Sequence, residues 1–227
     1  GIVVSNPQAR AVDVTVTAGS GQTFTKNVPA GMVVSILPQM NGVPDASIDG
    51  TGKEHKAYKV VSTLPIVAYQ FNPLDNANVF SNDASLLIPR AAFDTEYYNM
   101  SFESENRRMP PPGQDSTHNY RSYVSIVAWQ DTMIEVTPTA AIEASATQPA
   151  IAANTPTMFT LQAFDVLTLQ ASGAGDLTGT KIKAVNATTT FGVFGGHEAM
   201  GFGESMAPDA QHSRGPCCAD HIEEMMF

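Results

Sequence analysis

Short runs in which apolar and polar residues alternate recur along the whole chain of 227 residues. Val12, Val14 and Val16 alternate with polar residues, and Ile134 and Val136 do the same. A period of two places the apolar side chains on one face of a strand, and no segment longer than about ten residues shows the 3.6-residue period of a helix. Glycine-rich turns separate the runs. The sequence therefore predicts an all-β fold built from antiparallel β-sandwich-like units.

Four segments from the first part of the chain return in the same order in the second part. The matched pairs are 12–18 with 134–140, 24–34 with 159–167, 58–71 with 182–195, and 82–88 with 220–226. Similar segments in a fixed order indicate an internal repeat. We predict two tandem units, a first β-unit at 1–102 and a second β-unit at 120–227. A proline-containing linker or long loop at 103–119 is predicted to join them.

The second unit stops before any counterpart of the strand-like run at 95–101. We therefore expect this unit to be incomplete at its C-terminus, with Met225, Met226 and Phe227 at an open strand edge. Open edges pair with further strands, so self-association through this edge is an expected property.

The charge balance excludes some classes of partner. The chain has 12 Lys and Arg against 22 Asp and Glu, a net charge of −10. Nucleic-acid binders and proteins that bind anionic membranes need clustered cations, and no run of apolar residues reaches the length of a membrane-spanning helix, about 20 residues. We therefore predict no nucleic-acid partner and no membrane insertion. The low lysine content with abundant Thr, Ser and Asn is typical of an exported protein.

Five segments together resemble one known family. They are Ala68–Leu74, Phe80–Pro89, Asp176–Thr180, Val193–Glu198 and Asp220–Glu224. In combination they resemble the IgG Fc-binding protein N-terminal domain family, in its bacterial-type extracellular form. The resemblance implies a module of a larger surface or secreted protein, located extracellularly or at the cell surface and used for adhesion or recognition. It does not imply that this chain binds immunoglobulin.

The segment from residue 197 to residue 224 is dense in groups that bind metals or polar ligands. His197 and Glu198 are candidate binding residues, and His197, Cys217, Cys218, Asp220 and His221 are candidate metal ligands. Imidazole and thiolate groups suit zinc, and nearby methionines would suit copper. The alternative is an ordinary polar loop beside methionines that fill the edge of the core.

A second polar segment follows the strand-like run that ends at residue 71. Asn72, Asp75, Asn82 and Asp83 are candidate binding residues there, and oxygen ligands of this kind suit calcium. The spacing is not that of an EF-hand, and Asn and Asp are also frequent in turns. No cofactor is predicted, and zinc, copper and calcium remain alternatives.

Cys217 and Cys218 are the two cysteines of the chain, and they are adjacent. The family often has a cysteine just after its Gly-His-Glu segment, where this chain has Ala199. We expect a disulfide between Cys217 and Cys218, strained because adjacent Cα atoms lie only about 3.8 Å apart. Two free thiols, or two thiolates that bind a metal with His221, either alone or together with His197, are the alternatives.

No arrangement typical of a catalytic site is found. There is no Gly-x-Ser-x-Gly motif, and Gly195-Gly196 lacks the lysine and the helix start of a phosphate-binding loop. The leading hypothesis is therefore a non-catalytic extracellular module that binds a protein or glycan at a cell surface. One alternative is a structural building block of an assembly completed by strand exchange. The other is a metal-dependent enzyme centred on the loop from His197 to His221.

Overall fold

The computed structural model describes residues 1–72, 83–109, 116–200 and 220–227, with the side chains of 105–109, 116–119 and 220 left undescribed. The first strands are β1 (Ile2–Ser5), β2 (Val12–Ala18), β3 (Thr23–Val28), β4 (Val33–Ile36), β5 (Gly52–Glu54), β6 (Tyr58–Ser62), β7 (Val67–Asn72), β8 (Asp83–Leu86) and β9 (Glu96–Tyr98). Short 3₁₀ helices span Pro38–Asn41 and Arg90–Ala92.

The remaining strands are β10 (Glu105–Met109), β11 (Ser116–Tyr120), β12 (Ser122–Val127), β13 (Thr132–Thr137), β14 (Thr157–Leu161), β15 (Val166–Gln170), β16 (Lys181–Ala184), β17 (Gly192–Met200) and β18 (Asp220–Met225). All the strand pairs are antiparallel, and the described residues contain no α-helix, so the predicted all-β class is confirmed. The strands β10 and β11 pair with each other in the segment predicted to be a linker, and β11 extends one residue beyond it.

Two sandwiches, each made of two sheets, account for the other strands. The first sandwich has the strand orders β4-β1-β7-β8 and β3-β2-β6. The second has the orders β18-β17-β12-β15-β5 and β14-β13-β16-β9. The alternating valines of β2 are fully buried in the first core, and Ile134 and Val136 of β13 are fully buried in the second. Each predicted alternation therefore serves to bury one face of a strand.

Matched segments of the two sandwiches occupy corresponding places in their sheets. The strand β2 pairs with β3 and β6, as β13 pairs with β14 and β16. Val16 lies opposite Phe24 and Val60, and Ile134 lies opposite Phe159 and Ala184. The strand pairing thus aligns Ile134 with Val16, whereas the sequence match aligns it with Val12. The shift of four residues is even, so it keeps the same side chains in the core.

Two strands from the first half of the chain complete the sheets of the second sandwich. The strand β5 pairs with β15, and β9 pairs with β16, where Tyr97 lies opposite Ile182. Tyr97 is buried in the second core and its ring lies 5.3 Å from that of Phe191. A boundary between residues 102 and 120 therefore does not divide the strands into two self-contained sets, because edge strands can be supplied by any part of the chain that reaches them.

The edge strand β18 lies beside β8, the edge strand of the first sandwich. The backbone N–H of Met225 donates to Ser85 Oγ at 2.8 Å, and the N–H of Glu223 donates to the carboxylate of Asp83. Side chains of β8 thus bind outward-facing amides of β18. The edge predicted to be open near residue 225 is partly occupied for this reason.

Candidate functional site

A cleft of about 1180 Å³ lies between the two sandwiches. One wall is the outer face of the sheet that contains β12, where Tyr123 and Ser125 point away from the second core. The other wall is formed by β6 and β7 of the first sandwich, including Tyr58 and Gln70. The strand β5 pairs with β15 at one edge of the second sandwich, and β8 contacts β18 at the other edge. Both walls therefore belong to one site.

A buried polar cluster closes one part of the cleft. Glu223 is the centre of the cluster and is 8% exposed. Its Oε2 accepts a hydrogen bond of 2.9 Å from the hydroxyl of Tyr123, and its Oε1 accepts one from the amide of Gln70. The backbone N–H of Glu223 donates to Asp83. Residues of β7 and β12 therefore bind the carboxylate of Glu223, and a residue of β8 binds its backbone, so that both sandwiches hold this residue in place.

His221 extends this cluster toward the opening of the cleft. Its Nε2 lies 3.1 Å from Asn72 Nδ2 and 3.3 Å from the hydroxyl of Tyr123, and its Nδ1 lies 3.2 Å from the carbonyl oxygen of Glu198. The Glu198 carboxylate accepts hydrogen bonds from the Arg121 backbone N–H at 2.8 Å and from Gln170 Nε2 at 2.6 Å. Imidazole, phenol and two carboxylates thus share one surface of the cleft.

Burial governs the electrostatics of this cluster. Loss of solvent raises the pKa of Glu223, an effect that the carboxylate of Asp83 adds to and that His221 and Tyr123 oppose. Burial likewise raises the pKa of Glu198, opposed by its hydrogen bonds from Arg121 and Gln170. The pKa of Tyr123 is raised well above its usual value, first by burial and then by the Glu223 charge. The cluster therefore favours the protonated forms of these side chains.

The substitution Glu223→Gln is expected to stabilise the protein more at about pH 7.5 than at about pH 4.5. Since folding raises the pKa of Glu223, its contribution to stability is complete below the ordinary value of 4.5 and is lost as pH rises through the raised pKa. Glutamine stays neutral throughout this range. Thermal unfolding at both pH values measures the effect, and Glu224→Gln removes an exposed carboxylate as the control. An equal effect of Glu223→Gln at the two pH values would contradict this account.

The structure brings together some of the predicted site residues and separates others. Asn72, Asp83, Glu198 and His221 lie in the cluster. His197 is 1% exposed and points to the opposite face of β17, with Phe102 edge-on to its ring at 6.1 Å. Because His197 pairs with Ile222 rather than with His221, the two imidazoles lie on opposite sides of one sheet and do not converge.

None of the other predicted site residues has a described side chain in the cluster. The backbone of Asp220 pairs with Met200 in the ladder between β17 and β18. Asp75, Asn82, Cys217 and Cys218, and with them the expected disulfide, lie outside the described residues. In the described part of the chain, no three His, Cys, Asp or Glu side chains are grouped in a way that would hold a metal ion.

Aromatic and apolar side chains line the cleft away from the polar cluster. Trp129 lies 4.3 Å beneath the guanidinium of Arg90, and its indole N–H donates to Thr190 Oγ1 at 3.0 Å. Phe93 and Phe164 also line the cleft. Trp129 and Tyr123 suggest an aromatic binding surface in the sequence, with core packing as the alternative, and Glu223 belongs to the polar segment 197–224. None of these three is among the predicted site residues, and nothing in the sequence points to Gln70. Gly196 lies opposite Tyr123 and leaves room for the tyrosine ring to reach Glu223.

No helix in the described ranges is both long and apolar enough to cross a lipid bilayer.

These features define a class of all-β proteins. In this class the first half of the chain contributes edge strands to the second sandwich, and a cleft lies between the two sandwiches. Within that class, the sequence model described as IgGFc binding protein matches residues 83–227, more than half of the chain. The chain belongs to the IgG Fc-binding protein family. Searches of the curated proteins and of the solved structures found no match.

Proposed function

We propose that this chain is a non-catalytic, extracellular interaction module of a larger secreted or surface protein, and that it binds a protein ligand in the cleft between the two sandwiches. Membership of a binding family supports the general function. The cleft supports the location, because it combines aromatic surface, an exposed arginine and a buried polar cluster. Aromatic residues and arginine are the side chains that most often dominate the energetics of protein interfaces.

The structure favours this function over the metal-dependent enzyme. That alternative needs His197 and His221 at one centre, and they occupy opposite faces of the sheet. The His221 imidazole is instead surrounded by Asn72, Tyr123 and the backbone of Glu198. These are hydrogen-bonding contacts that fix one wall of the cleft.

A specific observation favours the second candidate, an assembly completed by strand exchange. The strands β5 and β9 already leave the first half of the chain to complete sheets of the second. The same kind of pairing between different chains would produce an assembly.

The substitution Trp129→Ala is expected to weaken ligand binding at least about tenfold, since truncation of an aromatic anchor in an interface costs about 2 kcal/mol or more. The Fc fragment of immunoglobulin G and a panel of extracellular proteins and glycans are the probes, with binding measured by surface plasmon resonance. Met158→Ala is the control, because Met158 is 47% exposed on β14 and does not line the cleft. The intrinsic fluorescence of Trp129, the only tryptophan, should change when a ligand enters the cleft.

A ligand that binds the wild-type chain and the Trp129→Ala variant equally well would place the binding surface elsewhere. Saturable binding of glycans with no binding of proteins would overturn the proposed class of ligand.

A further inference from the structure

The outer edge of β6 in the first sandwich corresponds to an edge that β9 fills in the second. The central strands establish this correspondence, because Val16 of β2 pairs with Val60 of β6 in the way that Ile134 of β13 pairs with Ala184 of β16. On its other side β16 pairs with β9. Among the described residues, no strand pairs with the outer side of β6.

Backbone groups of β6 point outward at this edge. On β16, Ala184 N–H donates to the Thr95 carbonyl at 2.7 Å, and the Thr180 carbonyl accepts from Asn99 N–H at 2.9 Å. The backbone N–H and C=O groups of even-numbered residues on β16 thus point toward β9. The residues of β6 that correspond to them are Tyr58 and Val60. Because the backbone groups of an antiparallel strand alternate between its two neighbours, the N–H and C=O of Tyr58 and Val60 point away from β2.

Side-chain burial shows the same difference between the two edges. Ile182 and Ala184 of β16 are 0% and 2% exposed beneath β9. Tyr58 and Val60 face the core of the first sandwich but are only half-buried. The first core therefore leaves apolar surface uncovered at the position where β9, through Tyr97, covers the second core.

The cleft runs along this edge, and its lining is suited to an extended chain. Residues 56–62 form one side, and Ile66, Leu87, Phe93, Trp129 and Phe164 contribute apolar surface. A strand of five residues is about 17 Å long. This is the length of β6, all of whose residues line the cleft. The cleft thus combines the backbone hydrogen-bonding groups at the outer edge of β6 with apolar side chains beside them. Both are features of sites that bind an added strand.

We infer that the outer edge of β6 and the adjoining cleft bind one extended strand of the partner protein, in the place that β9 takes on β16. This inference rests on the proposed function and specifies the partner. The bound segment carries aromatic or apolar residues at alternate positions facing the first core, as β9 carries Tyr97. It carries an acidic residue opposite Lys59, because Glu96 lies opposite the corresponding Lys183 in the ladder and forms its ion pair with the nearby Lys181.

A capped synthetic peptide with the sequence of residues 94–101 is the probe, because this segment contains the β9 strand that binds the corresponding edge. Amide hydrogen exchange of the full chain is measured by NMR with and without the peptide. We expect exchange at Tyr58 and Val60 to slow at least about tenfold, and exchange at Lys59 and Val61, whose amides face β2, to stay unchanged. Slow exchange of Tyr58 and Val60 in the free protein would show that the edge is already paired and would overturn the inference.

Two matched pairs of controls test the mode of binding. N-methylation of the peptide at the position of Tyr97 removes an amide that faces the edge and should abolish binding, whereas N-methylation at the position of Tyr98 should not. Lys59→Glu should weaken binding by about threefold to fivefold through repulsion of the acidic residue, and Lys26→Glu on β3, the far edge of the same sheet, should not. Equal effects within either pair would overturn the inference.

The outcomes also separate this inference from the proposed function. If the peptide fails to bind while a protein ligand still depends on Trp129, the inference is wrong and the function stands. If the peptide gives alternating protection while no protein ligand binds, the edge is an acceptor of strands and the proposed function is wrong.

Discussion

Alanine in place of Gly195 is expected to lower the free energy of unfolding by about 3 kcal/mol, the upper part of the range for overpacked cores. A Cβ atom at this position would lie 2.1 Å from the carbonyl oxygen of Met100 and 2.4 Å from Asn99 Oδ1. Both contacts come from the segment that follows β9, which crosses the core face of β17 here. Since one of the two is a backbone atom, the clash cannot be relieved by rotation of a side chain.

Gly196→Ala is expected to have an effect of similar size on the other face of the same strand. A Cβ atom there would lie 2.3 Å from the carbonyl oxygen of Ile222 and 2.5 Å from the ring of Tyr123. It would push Tyr123 away from Glu223 and so disrupt the polar cluster. Urea unfolding measures both variants, with Gly52→Ala of β5 as the control because its Cβ would contact only Thr147 Oγ1 at 3.2 Å. Losses below about 1 kcal/mol at Gly195 and Gly196 would contradict the close approach of these chains.

Tyr97→Ala is expected to lower the stability of the second sandwich by about 3 to 5 kcal/mol, the cost of truncating a large buried aromatic side chain. Tyr97 is 4% exposed, although it comes from the first half of the chain. Its removal opens a cavity beside Phe191 and leaves the Asp94 backbone N–H without its 2.7 Å hydrogen bond to the tyrosine hydroxyl. Amide exchange at Ile182 and Phe191 should accelerate together with global unfolding measured in urea.

Tyr97→Phe is the matched control, because it keeps the ring and removes only the hydroxyl group. We expect a loss of about 1 kcal/mol, the usual net value of one hydrogen bond. If Tyr97→Ala left the exchange of the second sandwich unchanged, β9 would not be part of its core.

The strand content of the fold could be predicted because alternation is a local property of the chain. The valines of β2 and the residues Ile134 and Val136 of β13 are buried as their period predicts. The pairing of β5 with β15 could not be predicted, since β5 has three residues and its partner lies more than 100 positions away. The sequence match pairs Ile134 with Val12, whereas the strand pairing places it in the position of Val16. A shift by an even number of residues keeps the same side chains on the core face, so the pattern of apolar residues does not decide between the two registers.

The candidate site shows the same limit. Asn72, Glu198 and His221 of the predicted polar segments lie close together in the structure, and residue type alone was enough to name them as candidates. Whether His197 faces His221 depends on the register of β17 and β18, which the residue types do not reveal. The burial of Glu223, which raises its pKa, depends on the approach of the first sandwich and is equally invisible in the sequence.

Zero-length carbodiimide cross-linking of the monomeric wild-type chain, followed by mass spectrometry, tests most directly the central claim that the two halves interlock around the cleft. Lys53 lies 3.6 Å from Asp165, and Lys181 lies 3.0 Å from Glu96, so both pairs should give cross-links between the halves. Lys56 and Glu54, 2.6 Å apart within the first half, are the internal control. We expect all three cross-links in the monomer. Recovery of the Lys56–Glu54 link without either of the other two would contradict the interlocked arrangement and the cleft that depends on it.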